Sequence, residues 1–566
     1  MSTLDDRRPQ MFPVLSAAQV EEASRFASGP ARDFAPAELL YDIGEVGAPS
    51  WLLLAGSADI TRRDGLNAEA TITTMTEGQF TGEVNQLAGR SAIARGRAGP
   101  EGATALPFDA AHLRALMIGS AEIGEIVMRA LILRRVGLIE EGGAGTIIIG
   151  TPNSPDIVRL QGFLARAGYP HQVLDAARDE EGHALVERIG VQPDELPLVV
   201  CPDGSLLRRP NEIQLASCLG ITPEIDPRKL YDVAIVGAGP AGLAAAVYAA
   251  SEGLSTIVLD ERAFGGQAGA SNRIENYLGF PTGISGQALA GRAFNQALKF
   301  GAEIAIPLEV TKLDCPEGKV CPDLPLGLVL PDDRHVRART VVIASGARYR
   351  RPEVPGLAMF EGKGVSYWAS PIEARLCEGE EVALVGGGNS AGQGVVFLAP
   401  KVKHLHLVAR RPLEATMSRY LIDRIAALPN VTLHIGKEIA SLEGDCQTGL
   451  TGAVFRDRAD GSTKHCDLKH LFLFIGADPN TSWLSGCVET DAHGFICTGD
   501  TLGRAGILPL ETTRPGIFAI GDVRAGSVKR VAAGVGEGAA VVAQIHQALA
   551  AQAPKALAAQ AGERAR

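Results

Sequence analysis

Four consecutive apolar residues, 233–236, read as a buried parallel strand, covered on both faces and so in no need of polar alternation. A glycine-rich turn follows, then helical spacing over 241–251, then a second apolar run over 255–259 that stops at Asp260. The same succession recurs downstream, with apolar 381–385, glycines, a helix, and an apolar strand over 404–408. Earlier in the chain the pattern differs. Short apolar runs at 39–41, 51–55, 58–62 and 71–75 are broken by glycines, which predicts a roll of strands between helical spacing at 17–26 and an amphipathic helix over 123–138. The apolar face of that helix (Ile126, Ala130, Leu133) predicts a partner surface and hence a homodimer. From 144 to 222, strands at 146–150 and 171–175 alternate with helices. A strand pair turning at Asp203-Gly204 and a last helix at 211–219 complete a small α/β unit.

The two glycine turns carry chemistry. The first reads YDVAIVGAGPAGL from Tyr231. Gly237 permits the tight turn, Gly239 lets a pyrophosphate approach the backbone, Pro240 opens the helix, and Gly242 lets it pack close to the strand. Asp260, roughly 20 residues on, is placed to accept hydrogen bonds from a ribose. The second turn reads VALVGGGNSA from Val382, with Gly386, Gly388, Asn389, Ser390 and Ala391 as its binding positions. Its second strand runs into Arg410 and Arg411 instead of an acid, which suits the 2′-phosphate of NADPH better than NADH. Two such sites in one chain let a hydride pass from one cofactor to the other.

From about 229 to 549 these residues resemble the low-molecular-weight thioredoxin reductases. Gly265-Gly266-Gln267 resembles that family's flavin-contacting GGQ. IENYLGFP, with Asn276, resembles the segment that follows it, and VVIASGA, with Gly346, the return into the flavin domain. TTRPGIFAIGDVR resembles the late motif; by that resemblance Gly521 and Asp522 bind the flavin ribityl chain, and Lys529, Arg530, Val531 and Ala532 lie beside the isoalloxazine. The resemblance implies FAD and NADPH as cofactors. It also implies an α/β fold of two Rossmann-like domains, the flavin domain (229–351 and 508–549) interrupted by a nicotinamide domain (352–507), with 550–566 as a tail. A nicotinamide domain that rotates would hinge near 351–356 and 501–508.

The departure from the family is in the redox motif. Where the family has GVSYCATC, this chain reads GVSYWASP, so Trp368 and Pro371 stand in the two cysteine places. No Cys-x-x-Cys occurs anywhere in the chain. Neither replacement forms a thiolate. The expected enzyme therefore passes electrons from reduced flavin directly to an acceptor that is not a dithiol, either a small molecule or a redox protein. Trp368 is then a shield or stacking wall at the flavin, or a filler of the space the cysteines left. Two alternatives stand beside this: a flavin-based NADPH sensor signalling through the N-terminal modules, and a disulfide reductase using an unconventional thiol such as Cys377. The family's HRRxxxR is here ARRPLEA, with Arg419 the nearest further arginine.

The N-terminal modules carry resemblances of their own. Residues 1–142 resemble a cyclic-nucleotide-binding roll, with Gly82-Glu83 at the ribose position but Ala92 where the phosphate-binding arginine belongs and Arg90 and Arg95 at other offsets. Residues 144–222 resemble glutaredoxin, with Ser154-Pro155-Asp156-Ile157 replacing the Cys-Pro-x-Cys pair and Pro197 matching its cis proline.

Net charge is −11, which disfavours a nucleic-acid partner. No apolar run reaches the roughly 18 residues of a membrane span. The nine cysteines are scattered and match no zinc or redox spacing, and the eleven histidines form no metal site; both fit a reducing cytoplasm. Cys201 reads as a buried thiol, and Cys315 and Cys321 as free thiols in a loop.

Overall fold

A computed structural model describes residues 5–552 except 65, 67, 141–145, 153, 224, 315–324, 370 and 446–447. Cys315, Cys321, Ser370 and the tail from 553 lie outside the described residues.

The apolar run at 233–236 lies in strand Leu230–Val236, at the centre of a seven-stranded sheet. Thr256–Leu259 and His335–Ile343 flank it in parallel, Glu303–Ala305 extends one edge, and Ile517–Ala519 pairs in parallel with the upper half of His335–Ile343. Leu326–Val329 and Lys312–Asp314 add antiparallel strands. Helix Val531–Gln552 packs along helix Pro240–Ser251 because both are made of small residues. A side chain on Gly538 would come within 2.5 Å of the Ala241 carbonyl.

The second glycine turn sits in a five-stranded parallel sheet: Val365–Ser366, His470–Leu473, Glu381–Val385, His404–Ala409 and Val431–Ile435. A three-stranded antiparallel sheet covers it. The chain crosses between the two sheets on a ribbon of Ala347–Tyr349 paired with Ala477–Pro479. The expected boundary at 507 is corrected by this ribbon. Leu484, Cys487, Val488 and Ile496 pack in one core with Tyr231, Leu259 and Ile343, so the chain has re-entered the flavin side near 480.

Upstream, the runs 51–55 and 58–62 form one continuous strand, Ser50–Asp64, because Gly56 adopts a positive φ of 74° within it instead of ending it. The strand Arg95–Phe108 is the centre of this roll yet was not legible as one, since Gly96, Gly99, Pro100 and Gly102 interrupt it. The helix read at 123–138 spans Ala121–Glu140. Its apolar face is covered inside the chain: Ile123, Val127, Ala130 and Leu131 share one core with Phe294, Leu298 and Ile304 of the flavin side. Of the face read from the sequence, Ala130 lies in this core, Ile126 packs against it half-buried, and Leu133 is buried.

Between roll and flavin sheet, Ile147–Gly150 and Gln172–Asp175 pair in parallel, with Leu198–Val200 and Leu206–Arg208 antiparallel beyond. The Leu196–Pro197 peptide is cis. Cys201, read as a free thiol, is disulfide-bonded to Cys218. Their separation of 17 residues fits no motif, so only the packing of the last helix against the sheet brings them together.

Candidate functional site

Each glycine turn has a sealed side and an open side. Gly237 has φ 112°, and a side chain there would lie 2.3 Å from the Ala344 carbonyl. Gly386 has φ 152° and would meet the Phe474 carbonyl at 2.4 Å. Gly242 is closed against the Gly237 carbonyl at 1.9 Å. Gly239 and Gly388, the N-cap residues of helices Pro240–Ser251 and Asn389–Leu398, are different: a side chain on either would meet no protein atom within 4 Å. That open space lies in front of the helices' first N–H groups, where the dipole favours an anion. Both cradles fit the pyrophosphate of a dinucleotide.

Around the first cradle, the Asp260 carboxylate accepts from the backbone N–H groups of Ala238 (2.8 Å), Arg262 (2.9 Å) and Ala263 (3.2 Å). Burial raises its pKa against the pull of these donors. Expected at a ribose, it also braces the glycine loop. Gly265 donates to the Ala238 carbonyl at 2.7 Å, and Gly266 abuts Gly239, where a side chain would meet its Cα at 3.1 Å. The Gln267 amide donates to the Ala347 carbonyl. Asn276 is exposed, and Gly346 faces open space.

At the far side, Gly521 donates to Glu537 at 2.6 Å, and the same carboxylate binds Arg524 at 2.7 Å. Burial raises the pKa of Asp522, with Lys529 opposing. The Lys529 ammonium donates to the Asp522 carbonyl (2.5 Å) and Ser527 Oγ (2.8 Å) and stands over the Phe495 ring. These contacts fasten the loop. Arg530, Val531 and Ala532 open the last helix, with Arg530 and Ala532 exposed. Sequence reasoning passed over Arg524 and Glu537. The available signal was a lone acid between glycines (GEG, 536–538) on an otherwise small-residue helix.

At the second cradle, Asn389 Oδ1 accepts from the Ser418 N–H (2.7 Å), and Thr416 Oγ1 donates to the Gly387 carbonyl (2.8 Å). Ala391 is buried in the helix packing, and Ser390 is exposed. Arg410 and Arg411 are both exposed at the end of His404–Ala409 and have no ion pair among the described residues. Arg419, exposed, pairs with Asp423 at 2.8 Å along its own helix.

Trp368 is 41% exposed, and its indole N–H donates to Glu373 at 2.8 Å. The next carbonyl, Ala369, accepts from Asn272, and Arg424 pairs with Glu275. The first contact ties the Trp368 segment to the loop between GGQ and IENY, and the second ties helix Arg419–Ala426 to IENY itself; no motif announced either. Cys377 is fully buried, and burial pushes its thiol up to about 11. Cys466 and Cys497 are raised for the same reason. In the roll, Glu83 is buried and paired with Arg135 at 2.6 Å, Arg90 donates to the Ile304 carbonyl at 3.0 Å, and Arg95 pairs with Asp42. Ala92 lies fully inside the strand core. Glu83 at the ribose position is thus paired internally, and the phosphate position carries only buried Ala92.

These two cradles lie inside a recognised family of sequences. A family profile described as pyridine nucleotide-disulphide oxidoreductase matches residues 231–538, more than half of the chain. The chain belongs to this family. Thioredoxin reductase of Mycolicibacterium smegmatis is 32% identical over 312 residues, covering 55% of this chain and 94% of its own length. A component of the alkyl hydroperoxide reductase of Escherichia coli is 34% identical over 319 residues, covering 56% of this chain and 58% of its own length. The chain thus spans a little over half the length of that curated relative. NADH dehydrogenase of Ferdinandcohnia aciditolerans is 29% identical over 399 residues, covering 69% of this chain and 72% of its own. Among solved structures, T. acidophilum thioredoxin reductase superposes with a TM-score of 0.51 at 29% identity, covering 56% of this chain and 99% of that one. The family binds FAD and uses NAD(P)H. No helix among the described residues is long and apolar enough to cross a membrane.

Proposed function

We propose that the protein oxidises NADPH at the second cradle and delivers the electrons from FAD, held at the first, directly to an acceptor that is not a dithiol. The carrying observation is the pair Trp368 and Pro371 at the two cysteine places, together with free thiols at Cys377, Cys466 and Cys497 whose pKa values are all raised. A thiol that stays protonated is a poor nucleophile, so none of these three substitutes for the missing pair. When bound, FAD supplies the hydride-accepting and electron-donating chemistry. The chain does the rest. Helix N-termini at Gly239 and Gly388 hold the pyrophosphates, Arg410 and Arg411 offer two unpaired guanidiniums to a 2′-phosphate, and the Glu537–Arg524 pair shapes the loop under the flavin. A reducing cytoplasm is the compartment this chemistry suits.

The test is anaerobic. The yellow holoprotein is titrated with NADPH and separately with NADH, and then quinones, haem or iron–sulfur proteins, oxygen and disulfides are admitted. Fast bleaching by NADPH and fast reoxidation by a non-disulfide acceptor is the expected result; turnover on a disulfide substrate would sink the proposal. Cys377→Ser is expected to leave turnover unchanged. A sensor is the second reading, supported by the core that the roll shares with the flavin side. It predicts bleaching with no fast reoxidation by any acceptor.

A further inference from the structure

The middle module has lost the cysteine pair expected at the start of its first helix, yet it holds a sulfur pair elsewhere. Cys201 follows strand Leu198–Val200, beyond its far end from Pro197, and Cys218 ends helix Glu212–Cys218. We propose that Cys201–Cys218 is a reversible thiol–disulfide couple, exchanging with dithiols in solution, that controls how firmly the middle module grips the roll.

Three observations carry this. The two sulfurs differ in access: Cys201 is fully buried and Cys218 half-buried, so an incoming thiolate reaches Cys218. The departing sulfur is then Cys201, whose backbone the roll holds: Arg63 donates to the Cys201 carbonyl at 3.0 Å and to the Pro202 carbonyl at 3.2 Å. Finally, the bond joins two segments with different anchors. The turn at 201–205, closed by Cys201 N–H to the Ser205 carbonyl and Gly204 N–H to the Cys201 carbonyl, is what Arg63 of the roll holds. The helix at 212–218 leads through buried Leu219 and Ile221 to Thr222, which donates to the Ile306 carbonyl of the flavin side. Oxidised, the pair makes one covalent tie from the roll contact to the flavin-side lead; reduced, these become two separate attachments.

The chemistry balances. One thiolate of a dithiol attacks Cys218 Sγ, the Cys201–Cys218 bond breaks, and Cys201 leaves and takes a proton. The second thiol of the reagent attacks the mixed disulfide at the reagent's sulfur and frees Cys218. The dithiol is oxidised to a disulfide, and the pair gains two electrons and two protons.

The experiment uses the folded full-length holoprotein. Samples equilibrated in graded dithiothreitol redox buffers are quenched with a maleimide, mapped by mass spectrometry, and followed by amide exchange at Cys201 and Gly204. Simultaneous labelling of Cys201 and Cys218, reversal by oxidised dithiothreitol, and at least tenfold faster exchange at both amides are expected. Cys218→Ser is expected to exchange like the reduced wild type at every buffer setting. Labelling that requires denaturant would make the bond a permanent staple and overturn the proposal. Full labelling of untreated protein would overturn it as well, as would reduction with unchanged amide exchange.

Discussion

Glu537→Ala tests the account of the flavin-side loop most directly. Glu537 holds two groups at once, the Gly521 N–H and the Arg524 guanidinium, and the side chains of the ion pair are 15% and 11% exposed. Removing it leaves Arg524 buried without its main partner, an uncompensated charge that costs about 3–5 kcal/mol. Asp500 stands 3.9 Å from Arg524 but is 54% exposed. It recovers part of the loss, leaving about 2–3 kcal/mol. Gly521 packs against Ala241 of the first cradle's helix, so with FAD held in that cradle the loss is expressed in its binding, up to roughly 30- to 140-fold at 1.4 kcal/mol per decade. The assay is equilibrium dialysis of FAD from the apoprotein, with flavin fluorescence as readout. Glu537→Gln keeps a neutral acceptor for the Gly521 N–H and is expected between wild type and alanine. The double variant Arg524→Met, Glu537→Leu removes both charges and is expected to recover part of the affinity, because an apolar pair carries no charge desolvation cost while the Gly521 N–H still lacks its acceptor. FAD affinity within threefold of wild type for Glu537→Ala, or a double variant no better than the single, would refute the reasoning.

Three further outcomes are expected. Gly388→Ala should leave the melting temperature and flavin spectrum unchanged, since its Cβ meets no protein atom within 4 Å, while raising the KM for NADPH at least tenfold; Gly386→Ala, forced to within 2.4 Å of the Phe474 carbonyl, should instead destabilise the fold in a thermal melt. Arg410→Ala and Arg411→Ala should each raise the KM for NADPH about tenfold and leave that for NADH within twofold; equal effects on both nucleotides would remove these arginines from the 2′-phosphate. Burial, then the neighbouring His406, lowers His434 from 6.5 to about 4, so its neutral form is the folded one. The stability it contributes is present above pH 6.5 and lost as pH falls towards 4, on the order of 3 kcal/mol. His434→Phe should flatten the acid limb of an equilibrium unfolding series over that window, and an unchanged limb would count against it.

Much of the candidate site was legible because its signal is local. A strand, a turn that only glycine permits and a helix opening lie within a dozen residues of one another, and their sterics act between chain neighbours; this is why Gly237, Gly239, Gly386 and Gly388 were found where the structure has them. The substitution of Trp368 and Pro371 for cysteines is likewise a matter of sequence alone. What depends on distant partners was not legible. Strand Arg95–Phe108 survives three glycines and a proline because Ser50–Asp64 and Leu39–Tyr41 supply its hydrogen bonds. Helix Ala121–Glu140 shows an apolar face, but only packing brings Ile123, Val127, Ala130 and Leu131 against the flavin side. Glu537 acquires its meaning from Gly521 and Arg524, Cys201 from Cys218, and Lys529 from the carbonyls that hold it. Periodicity and glycine sterics determine which elements form and where a phosphate can approach the backbone. Which surface, charge or sulfur each element meets is set by long-range packing, which no local pattern encodes.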